Sequence, residues 1–311
     1  MTQQTLHVRK ATPDDRGRIL EISVQIWDGD DYVPQLLDSW LAEDEGELVV
    51  TTLDDVVIAF AHRSWLCPGI AWFEGIRTDP AHQGRGAGKA ITEYLIGSAH
   101  DAGATRIALS TYIDNKASIH IIESYGFRLT ATFSYLERAG DLPPPQEEDR
   151  AASIRELTET ETREFIGTSA FLSMAQRQLS HGWKFLPFDH DPSRSIEPLA
   201  YRVGYWEEDE LTAVLCIRQE PAIGGPITLS FLDGESAAMS RLLNHALNVY
   251  EGSTMQVMVP VHQGRRAAAF AVLRESGFIS WSDFHPDVFV YEMVLSSPKE
   301  GADRLDLSPN S

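Results

Sequence analysis

Apolar and polar positions follow two alternating patterns along the first half of the chain. Extended apolar runs predict strands over "LHVRKA", "GELVVTTLDDVVIAFAHRSWL" (two strands with a turn at Leu53-Asp54-Asp55), "IAWFEGIRTD", "TRIALSTYI" and "RLTATFSYLE". Helical spacing predicts helices over "TPDDRGRILEISVQIW", "DYVPQLLDSWLAE", "AGKAITEYLIGSAHDAGA" and "NKASIHIIESYGF". The order β-α-α-β-β-β-α-β-α-β predicts an α/β (α+β) fold, with a mixed, mostly antiparallel sheet flanked by helices.

The first predicted helix has a recognisable beginning and a clear apolar face. Thr12 can cap it and Pro13 suits its first position. Ile19, Ile22 and Ile26 share one face at helical spacing. The pattern therefore predicts a helix that continues to Trp27.

The second half of the chain repeats this order with different residues. Strands are predicted over "ASIREL", "AYRVGYW", "LTAVLCIR", "PITLSFLDG" and "STMQVMVPV", and helices over "TETETREFIGTSAFL" and "SAAMSRLLNHALNVYE". The stretch "RRAAAFAVLRESGFISWSDF" repeats "NKASIHIIESYGFRLTATF", because in both a helix runs into Gly-Phe. We interpret this repetition as an internal duplication.

The predicted domain boundary lies in "AGDLPPPQEEDR", which combines prolines and acidic residues as solvated linkers do. The expected division is a first domain over 1–138, a linker over 139–150 and a second domain over 151–296. Residues 297–311 are polar and interrupted by proline and glycine, and are expected to form a disordered tail.

Charge and cysteine content exclude several classes of protein. The net charge is -20 and neither half has a basic cluster, which argues against a nucleic-acid partner. The chain has 2 cysteines, Cys67 and Cys216, which give neither a disulfide framework nor a zinc motif. No signal-peptide or membrane-spanning pattern is present, so we expect a soluble, cytoplasmic protein without a membrane partner.

The stretch "DPAHQGRGAGKA" (79–90) places glycines between positive charges, directly before a predicted helix. Main-chain N–H groups at a helix start are unpaired and the helix dipole is positive there, so they can bind a diphosphate. A Walker A loop would need glycine at 83 and Ser or Thr at 90, where Gln83 and Ala90 stand. A dinucleotide-binding fingerprint would need glycine at 89, where Lys89 stands.

The remaining pattern, Gln-x-x-Gly-x-Gly after Asp-Pro, resembles motif A of the GCN5-related N-acetyltransferase (GNAT) superfamily. The resemblance extends from about Leu6 to Leu136 and includes "NKASIHIIESYGF", which is similar to the family's Asn-x-x-Ser-Ile helix. It implies that acetyl-CoA binds as cosubstrate, without a metal. The cofactor-binding residues that it implies are Ile76, Arg77, Thr78, Gln83, Gly84, Arg85, Gly86, Ala87, Gly88, Lys89 and Asn115. The alternative is that the glycines only allow a turn that packs helix on strand, and that Asn115 only caps its helix.

The resemblance implies that the strand before the loop diverges from its neighbour, so that its N–H groups can donate hydrogen bonds to the acetyl carbonyl. Glu74 lies two residues before Ile76, on the same face of that strand, and is the candidate general base. Phe73 and Gly75 flank it, and an apolar setting would raise its pKa. The alternative is that Glu74 forms an ion pair to a neighbouring strand.

A general acid is less easily assigned. The family's tyrosine, four residues before the final glycine, is replaced by Ile122. His120, Tyr112, Tyr125 or water would have to protonate the leaving thiolate, or the thiolate leaves unaided. The alternative for His120, which its position on a helix favours, is a surface or packing residue.

The stretch "IWDGDDYVPQLLDSW" lies where this fold covers the acceptor. Its candidate acceptor-binding residues, together with Tyr112 on a later strand, are Trp27, Asp28, Asp31 and Tyr32. Asp30 and Asp31 can also be read as caps of the next helix. "WDGDDYVP", "FEGIR" and "GWKFLPF" resemble histidine N-α-acetyltransferases and their bacterial relatives, which implies a small-molecule amine such as L-histidine as acceptor.

The second half lacks the glycine loop, since "SFLDGESAAMSR" places acidic residues at the helix start. It is therefore expected to be a degenerate GNAT-like domain that binds no CoA. "HGWKFLPFDHD" contains His181 and His190 but no metal-ligand spacing. The sequence thus predicts an N-acetyltransferase acting by direct transfer in a ternary complex; the alternatives are a non-catalytic acyl-CoA sensor or scaffold, or an enzyme for protein or polyamine amines. It does not fix the oligomeric state.

Overall fold

The computed structural model describes residues 5–29, 31–143, 153–218, 225–282 and 285–296. Contacts between Cα atoms divide the chain into two units. Unit 1 contains residues up to Leu109, Asn115–Arg128 and the chain from Tyr291, and unit 2 contains Ser110–Asp114 and Leu129–Val290.

The strands in chain order are β1 (Leu6–Lys10), β2 (Glu47–Leu53), β3 (Val56–Cys67), β4 (Ile70–Thr78), β5 (Arg106–Tyr112), β6 (Arg128–Arg138), β7 (Ile154–Glu156), β8 (Gln178–His181), β9 (Lys184–Pro187), β10 (Tyr201–Glu207), β11 (Glu210–Ile217), β12 (Ile227–Gly234), β13 (Met255–His262), β14 (Arg265–Arg266), β15 (Ile279–Ser280) and β16 (Val288–Val294). The helices are α1 (Arg16–Ser23), α2 (Val33–Ala42), α3 (Ala87–Asp101), α4 (Lys116–Ser124), α5 (Glu159–Thr168), α6 (Ala170–Met174), α7 (Pro192–Ile196), α8 (Ser236–Val249) and α9 (Ala269–Glu275).

The sheet of unit 1 runs in the order β1-β2-β3-β4-β5. The ladders from β1 to β4 are antiparallel, whereas β4 and β5 are parallel. On one face α1 and α2 bury an apolar cluster that includes Ile19, Ile22 and Leu37. Helix α3 buries Ile91, Leu95 and Ile96, the apolar face that the sequence predicts. The fold is thus the mixed, helix-flanked α/β fold expected from the sequence.

The sheet of unit 2 runs β6-β13-β12-β11-β10-β7. Strands β10, β11 and β12 are antiparallel neighbours, and β12 is parallel to β13 over Ile227–Leu229. Helix α8 follows β12 as α3 follows β4. Each of the two units thus contains an antiparallel run of strands, a short parallel ladder and a helix between the two parallel strands.

The division by contacts differs from the predicted boundary of 1–138. Strand β6 pairs with β13 over seven residues, from Thr132↔Val261 to Arg138↔Met255, so its residues from Leu129 belong to unit 2. Conversely, the end of β16, a strand that the sequence analysis does not predict, belongs to unit 1. There the N–H of Leu295 donates to the carbonyl of Thr105 at 2.9 Å. Most of the predicted linker and the predicted tail lie outside the described residues.

Two further elements differ from the predictions. Helix α1 ends at Ser23 rather than Trp27, and Trp27, Asp28 and Gly29 all have positive φ, which a continuing helix does not allow. The helix predicted over "TETETREFIGTSAFL" is split into α5 and α6, because Ser169 is extended and its hydroxyl accepts a hydrogen bond from the N–H of Leu172. Among the described residues, no helix is both long and apolar enough to cross a membrane.

Candidate functional site

Strand β4 pairs with its neighbour β5 only over the first third of its length. The parallel ladder joins only Ile70, Ala71 and Trp72 to β5. On the other side, the register to β3 slips between Phe60↔Arg77 and His62↔Glu74, so that β4 contains a bulge at Gly75 and Ile76. The part of β4 after Trp72, which leads into the glycine loop, is therefore not paired with β5.

The bulge depends on Gly75. Its φ is +63°, and a Cβ at this position would lie 2.7 Å from Cη2 of Trp40. A side chain here would meet both backbone strain and the indole ring. The Gly75 N–H donates to the hydroxyl of Tyr32 at 3.1 Å, which ties the bulge to the start of α2.

Asp79 fixes the beginning of the loop that follows β4. Its buried carboxylate accepts hydrogen bonds from the Ala81 N–H at 2.9 Å, from the His82 ring at 3.1 Å and from the Arg18 guanidinium. Burial raises the pKa of Asp79, but these hydrogen bonds and the Arg18 charge outweigh burial and hold the pKa below its usual value. The Asp-Pro of the motif thus forms an anchored turn.

The glycine loop leads directly into α3. Gly84 and Gly86 have φ of +76° and +86°, and Gly86 is the N-cap residue of α3. A Cβ at Gly84 would have no neighbour within 4 Å, so this side of the loop is open. Gly88 instead allows close packing, since a Cβ there would lie 3.2 Å from Cδ1 of Ile121 on α4.

This helix start can hold a doubly charged anion. No side chain caps the first-turn N–H groups of α3, because the N-cap residue is a glycine. Residues 83–86 and Lys89 are exposed, so the amide of Gln83 and the charges of Arg85 and Lys89 lie at the rim of the loop. Ala87 is buried, and it can contribute only its main chain.

Glu74 is held by two side chains of β3. Its Oε1 lies 3.2 Å from Nδ1 of His62 and accepts a hydrogen bond from the Ser64 hydroxyl at 3.1 Å. The structure thus contains the contact to a neighbouring strand that the sequence analysis leaves as the alternative to a catalytic base. The two roles are compatible, because a general base is commonly oriented by a third group.

Arg77 and Asp31 form a buried ion pair close to the bulge. The guanidinium donates to Asp31 at 3.0 Å and 3.2 Å, and the Asp31 side chain is fully buried. Asp31 is therefore engaged by Arg77 rather than presented to solvent, and its Oδ1 is at most a weak cap, 3.5 Å from the Val33 N–H. Asp30, the other predicted cap, lies outside the described residues.

Aromatic side chains enclose the Arg77 guanidinium. Its Cζ lies 4.4 Å from the ring centre of Trp27 and 5.4 Å from that of Tyr32. Trp27 remains 58% exposed, and the neighbouring Asp28 is exposed. Tyr32 is 40% exposed, and the burial of the rest of the residue raises the pKa of its hydroxyl, which stays protonated at neutral pH. The predicted acceptor-binding residues 27, 31 and 32 thus meet around Arg77, next to the bulge.

The candidate general acids differ in their availability. Ile122, at the position of the family's tyrosine, is buried. The Tyr125 hydroxyl donates to the Lys89 carbonyl or the Glu93 carboxylate, both at 3.3 Å, and burial followed by Glu93 raises its pKa to about 12. His120 is exposed.

The last two predicted site residues lie at the end of β5 and the start of α4. Asn115 occupies the N-cap position of α4, as the capping alternative expects. Its side chain, however, makes no capping hydrogen bond. Tyr112 belongs to unit 2, where its ring packs edge-on against Trp281 at 5.3 Å.

Sequence reasoning missed the two side chains that contact Glu74, which are His62 and Ser64. His62 is completely buried and stacks on Trp40 at 4.4 Å, and its Nε2 lies 3.0 Å from Oε2 of Glu43. The strand pattern places His62 and Ser64 on one face of β3, but only the register to β4 shows that this face meets Glu74. Among the described residues, no group of His, Cys, Asp and Glu side chains could hold a metal ion.

The corresponding connection in unit 2 is closed. The buried carboxylate of Asp233 accepts a hydrogen bond from the Phe171 N–H at 2.8 Å, at the start of α6. A Cβ at Gly234 would lie 2.2 Å from the Thr212 carbonyl oxygen. Helix α8 starts two residues later, so this connection has no room for a glycine loop.

Residues 17–127 match a model of the acetyltransferase (GNAT) family. The matched segment contains the diverging strand β4, the glycine loop and α4. No match is found among curated proteins.

Solved structures resemble the chain over nearly its full length. A GCN5-related N-acetyltransferase from Sphaerobacter thermophilus matches with a TM-score of 0.63 at 15% identity, over 93% of this chain and 95% of that one. A putative acetyltransferase from Pyrococcus horikoshii matches with a TM-score of 0.58 at 14% identity, over 96% and 92%. One from Thermoplasma acidophilum matches with a TM-score of 0.56 at 16% identity, over 93% and 100%. At these identities the likeness establishes the fold.

Proposed function

We propose that the chain transfers acetyl from acetyl-CoA to the amine of a small molecule, because residues 17–127 match a model of the acetyltransferase (GNAT) family. The observation that carries this proposal is the diverging edge of β4 leading into an open glycine loop at the start of α3. This arrangement offers main-chain N–H groups to an acyl carbonyl and to a diphosphate within one continuous segment.

The residues of the loop fit coenzyme A. Main-chain N–H groups of residues 84–89 would hold the diphosphate, and Gln83, Arg85 and Lys89 would add side-chain hydrogen bonds and charge. Acetyl-CoA supplies the acetyl group as a thioester. The N–H groups of Ile76, Arg77 and Thr78, which follow the point where β4 leaves β5, would polarise its carbonyl.

Glu74 is the proposed general base. An amine attacks a thioester only after losing a proton, and Glu74 is on β4 one residue before the bulge. Its contact with His62 and Ser64 fixes the carboxylate in one orientation. No covalent acyl-enzyme is needed, since amine, Glu74 and thioester would react in one ternary complex.

The proposed acceptor is a free α-amino acid, with L-histidine first among candidates because of the short resemblances at residues 27–34 and 73–77. An α-amino group has a pKa of about 7.7 to 8.0, against about 10.4 for a lysine side chain, so a carboxylate base suffices. The acidic surface, with a net charge of -20, favours the approach of cationic amines.

We propose that unit 2 binds no CoA. Its β12–α8 connection is closed by Asp233 and by the tight approach at Gly234, and Glu235 at the N-cap of α8 would repel a phosphate. Unit 2 is then a GNAT-like scaffold without a cofactor site.

An amine panel tests the proposed function. The purified full chain is incubated with acetyl-CoA and, in turn, L-histidine, other amino acids, polyamines and a lysine peptide, and the release of free CoA thiol is followed. We expect release with an α-amino acid. Release only with the peptide or a polyamine would reject the proposed acceptor, and binding of CoA without release with any amine would support the non-catalytic sensor instead.

Replacing Cys67 by alanine is expected to leave turnover unchanged within about twofold, because direct transfer needs no thiol nucleophile. Cys67 is buried at the end of β3 and pairs in register with Ile70. The measurement is the initial rate of thiol release at saturating amine. An inactive but folded Cys67→Ala enzyme would indicate an acyl-cysteine intermediate and contradict ternary-complex transfer.

A further inference from the structure

His62 lies between two carboxylates on the helix-covered face of unit 1. Its Nδ1 lies 3.2 Å from Oε1 of Glu74, and its Nε2 lies 3.0 Å from Oε2 of Glu43. The first contact is a hydrogen bond when either Nδ1 or Oε1 carries a proton. The second is a close contact without hydrogen-bond geometry, so Nε2 is a buried ring nitrogen beside a carboxylate.

The position of the ring is tightly fixed. His62 is 0% exposed, and Trp40 stacks on it at 4.4 Å with the ring planes 11° apart. Glu43 follows directly after α2, and its side chain is 35% exposed. The three groups therefore form a row from the candidate base, through a buried imidazole, to a carboxylate in contact with solvent.

The other charged side chains of the α1–α2 face are already in ion pairs of their own. The pairs are Arg77 with Asp31, Arg16 with Asp38, and Arg18 with Asp79 and Glu21. Glu74 and Glu43 are the two carboxyl groups in contact with the imidazole. A carboxylate next to an imidazolium stabilises its positive charge.

We propose that His62 is the proton acceptor behind Glu74, and that Glu43 stabilises the imidazolium which forms. This inference rests on the proposed function, because it gives the proton taken by Glu74 a destination. His62 does not touch the substrate in this scheme. It is a positioning and proton-holding residue that acts through Glu74.

The proton transfers balance, and they do not require the imidazole ring of His62 to rotate. In the tautomer with its proton on Nε2, His62 can accept at Nδ1 the hydrogen bond that Glu74 donates once Glu74 has taken a proton. An acceptor that arrives as an ammonium ion gives one proton to the Glu74 carboxylate, which passes it to Nδ1 and becomes a carboxylate again. The proton lost from nitrogen after attack then goes through Glu74 to the departing CoA thiolate. After product release, the imidazolium returns its Nδ1 proton through Glu74 to solvent.

Glu43→Gln is the first test, because Glu43 is partly exposed and its replacement should not unfold the protein. We expect kcat for thiol release to fall about tenfold, while KM for acetyl-CoA stays unchanged. Removing the carboxylate takes away a negative charge beside the imidazolium, so the acid limb of the kcat/KM profile should move to lower pH. Asp44→Asn, which removes a charge from the exposed neighbouring position, is the matched control and should behave as wild type.

His62→Gln separates proton holding from positioning. Glutamine can still donate a hydrogen bond to Glu74, but it cannot accept a proton. We expect a larger loss of kcat than in Glu43→Gln, about 100-fold, with KM unchanged. Urea unfolding of the variant shows whether the fold survives. A folded His62→Gln enzyme with the wild-type kcat would reject the proposal.

A nitrogen-15 NMR measurement on histidine-labelled full-length protein tests the same point without turnover. The His62 ring signals, assigned with His62→Gln, should show protons on both nitrogens at pH below the acid limb. In Glu43→Gln, the ring with protons on both nitrogens should appear only at lower pH than in wild type. A ring that stays neutral at every pH where the protein is folded overturns the proposal. If wild type releases no thiol with any amine, the proposed function fails, whereas a wild type that turns over with Glu43→Gln indistinguishable from Asp44→Asn rejects the proton-holding role alone.

Discussion

Glu74→Gln is expected to lower kcat for acetyl transfer by about 100- to 10,000-fold, the usual contribution of a general base. Glutamine keeps the size of the side chain and can still accept the hydrogen bond that Ser64 donates. What it loses is the ability to take a proton from the amine. The affinity for CoA should stay unchanged, because Glu74 lies on β4 and not in the loop at 83–89.

The control for this experiment is Glu45→Gln, an exposed position whose described hydrogen bonds use its main-chain carbonyl. Both variants are compared by thiol release at saturating acetyl-CoA and by urea unfolding. A Glu74→Gln enzyme with full kcat and a reduced free energy of unfolding would mean that Glu74 is only a structural partner of His62. That outcome would leave the enzyme without the proposed base.

Gly86→Glu is expected to weaken CoA binding by about 100- to 1,000-fold. Gly86 is the N-cap residue of α3 with φ of +86°, so its replacement places a carboxylate beside the first-turn N–H groups. Two like charges about 4 Å apart near a protein surface repel by about 4 kcal/mol. Titration calorimetry with CoA measures the effect. It also tests unit 2, because residual binding of one CoA per chain at wild-type affinity would show a second site.

Backbone strain has to be separated from charge repulsion in this variant. Gly103, just beyond the other end of α3, has φ of +88° and equally open surroundings, so Gly103→Glu carries a similar strain without facing the loop. We expect Gly103→Glu to be destabilised by about 1 kcal/mol and to bind CoA normally. Equal loss of binding in both variants would contradict a phosphate site at the start of α3.

Local sequence signals located the loop and the elements around it. Glycines before an apolar helical repeat predicted the helix start that the structure has at Ala87, and a turn at Asp54-Asp55 predicted the β2–β3 hairpin. These features depend on a few consecutive residues, whose backbone preferences are strong. The family match over 17–127 falls on the same elements.

Features that depend on distant pairing could not be predicted in this way. The bulge in β4 is visible only from its register with β3, and the contact between His62 and Glu74 follows from that register. Likewise, Asp31 appears in the sequence as a helix cap, yet a side chain 46 positions away engages it. The end of α1 was misplaced because Ile26 continues the apolar spacing, whereas in the structure Trp27 has a positive φ and its ring packs on Arg77.

The last strand of the chain has a consequence for synthesis. The residues from Tyr291 belong to unit 1, where the Tyr291 hydroxyl donates to Glu123 at 2.9 Å and Glu292 lies 3.6 Å from Arg106. The glycine loop of unit 1 is synthesised early. Tyr291 is added more than 160 residues after its partner Glu123. Unit 1 therefore lacks these contacts until residues 291–295 have been synthesised, and a nascent chain stopped before β16 lacks that strand however intact its loop is.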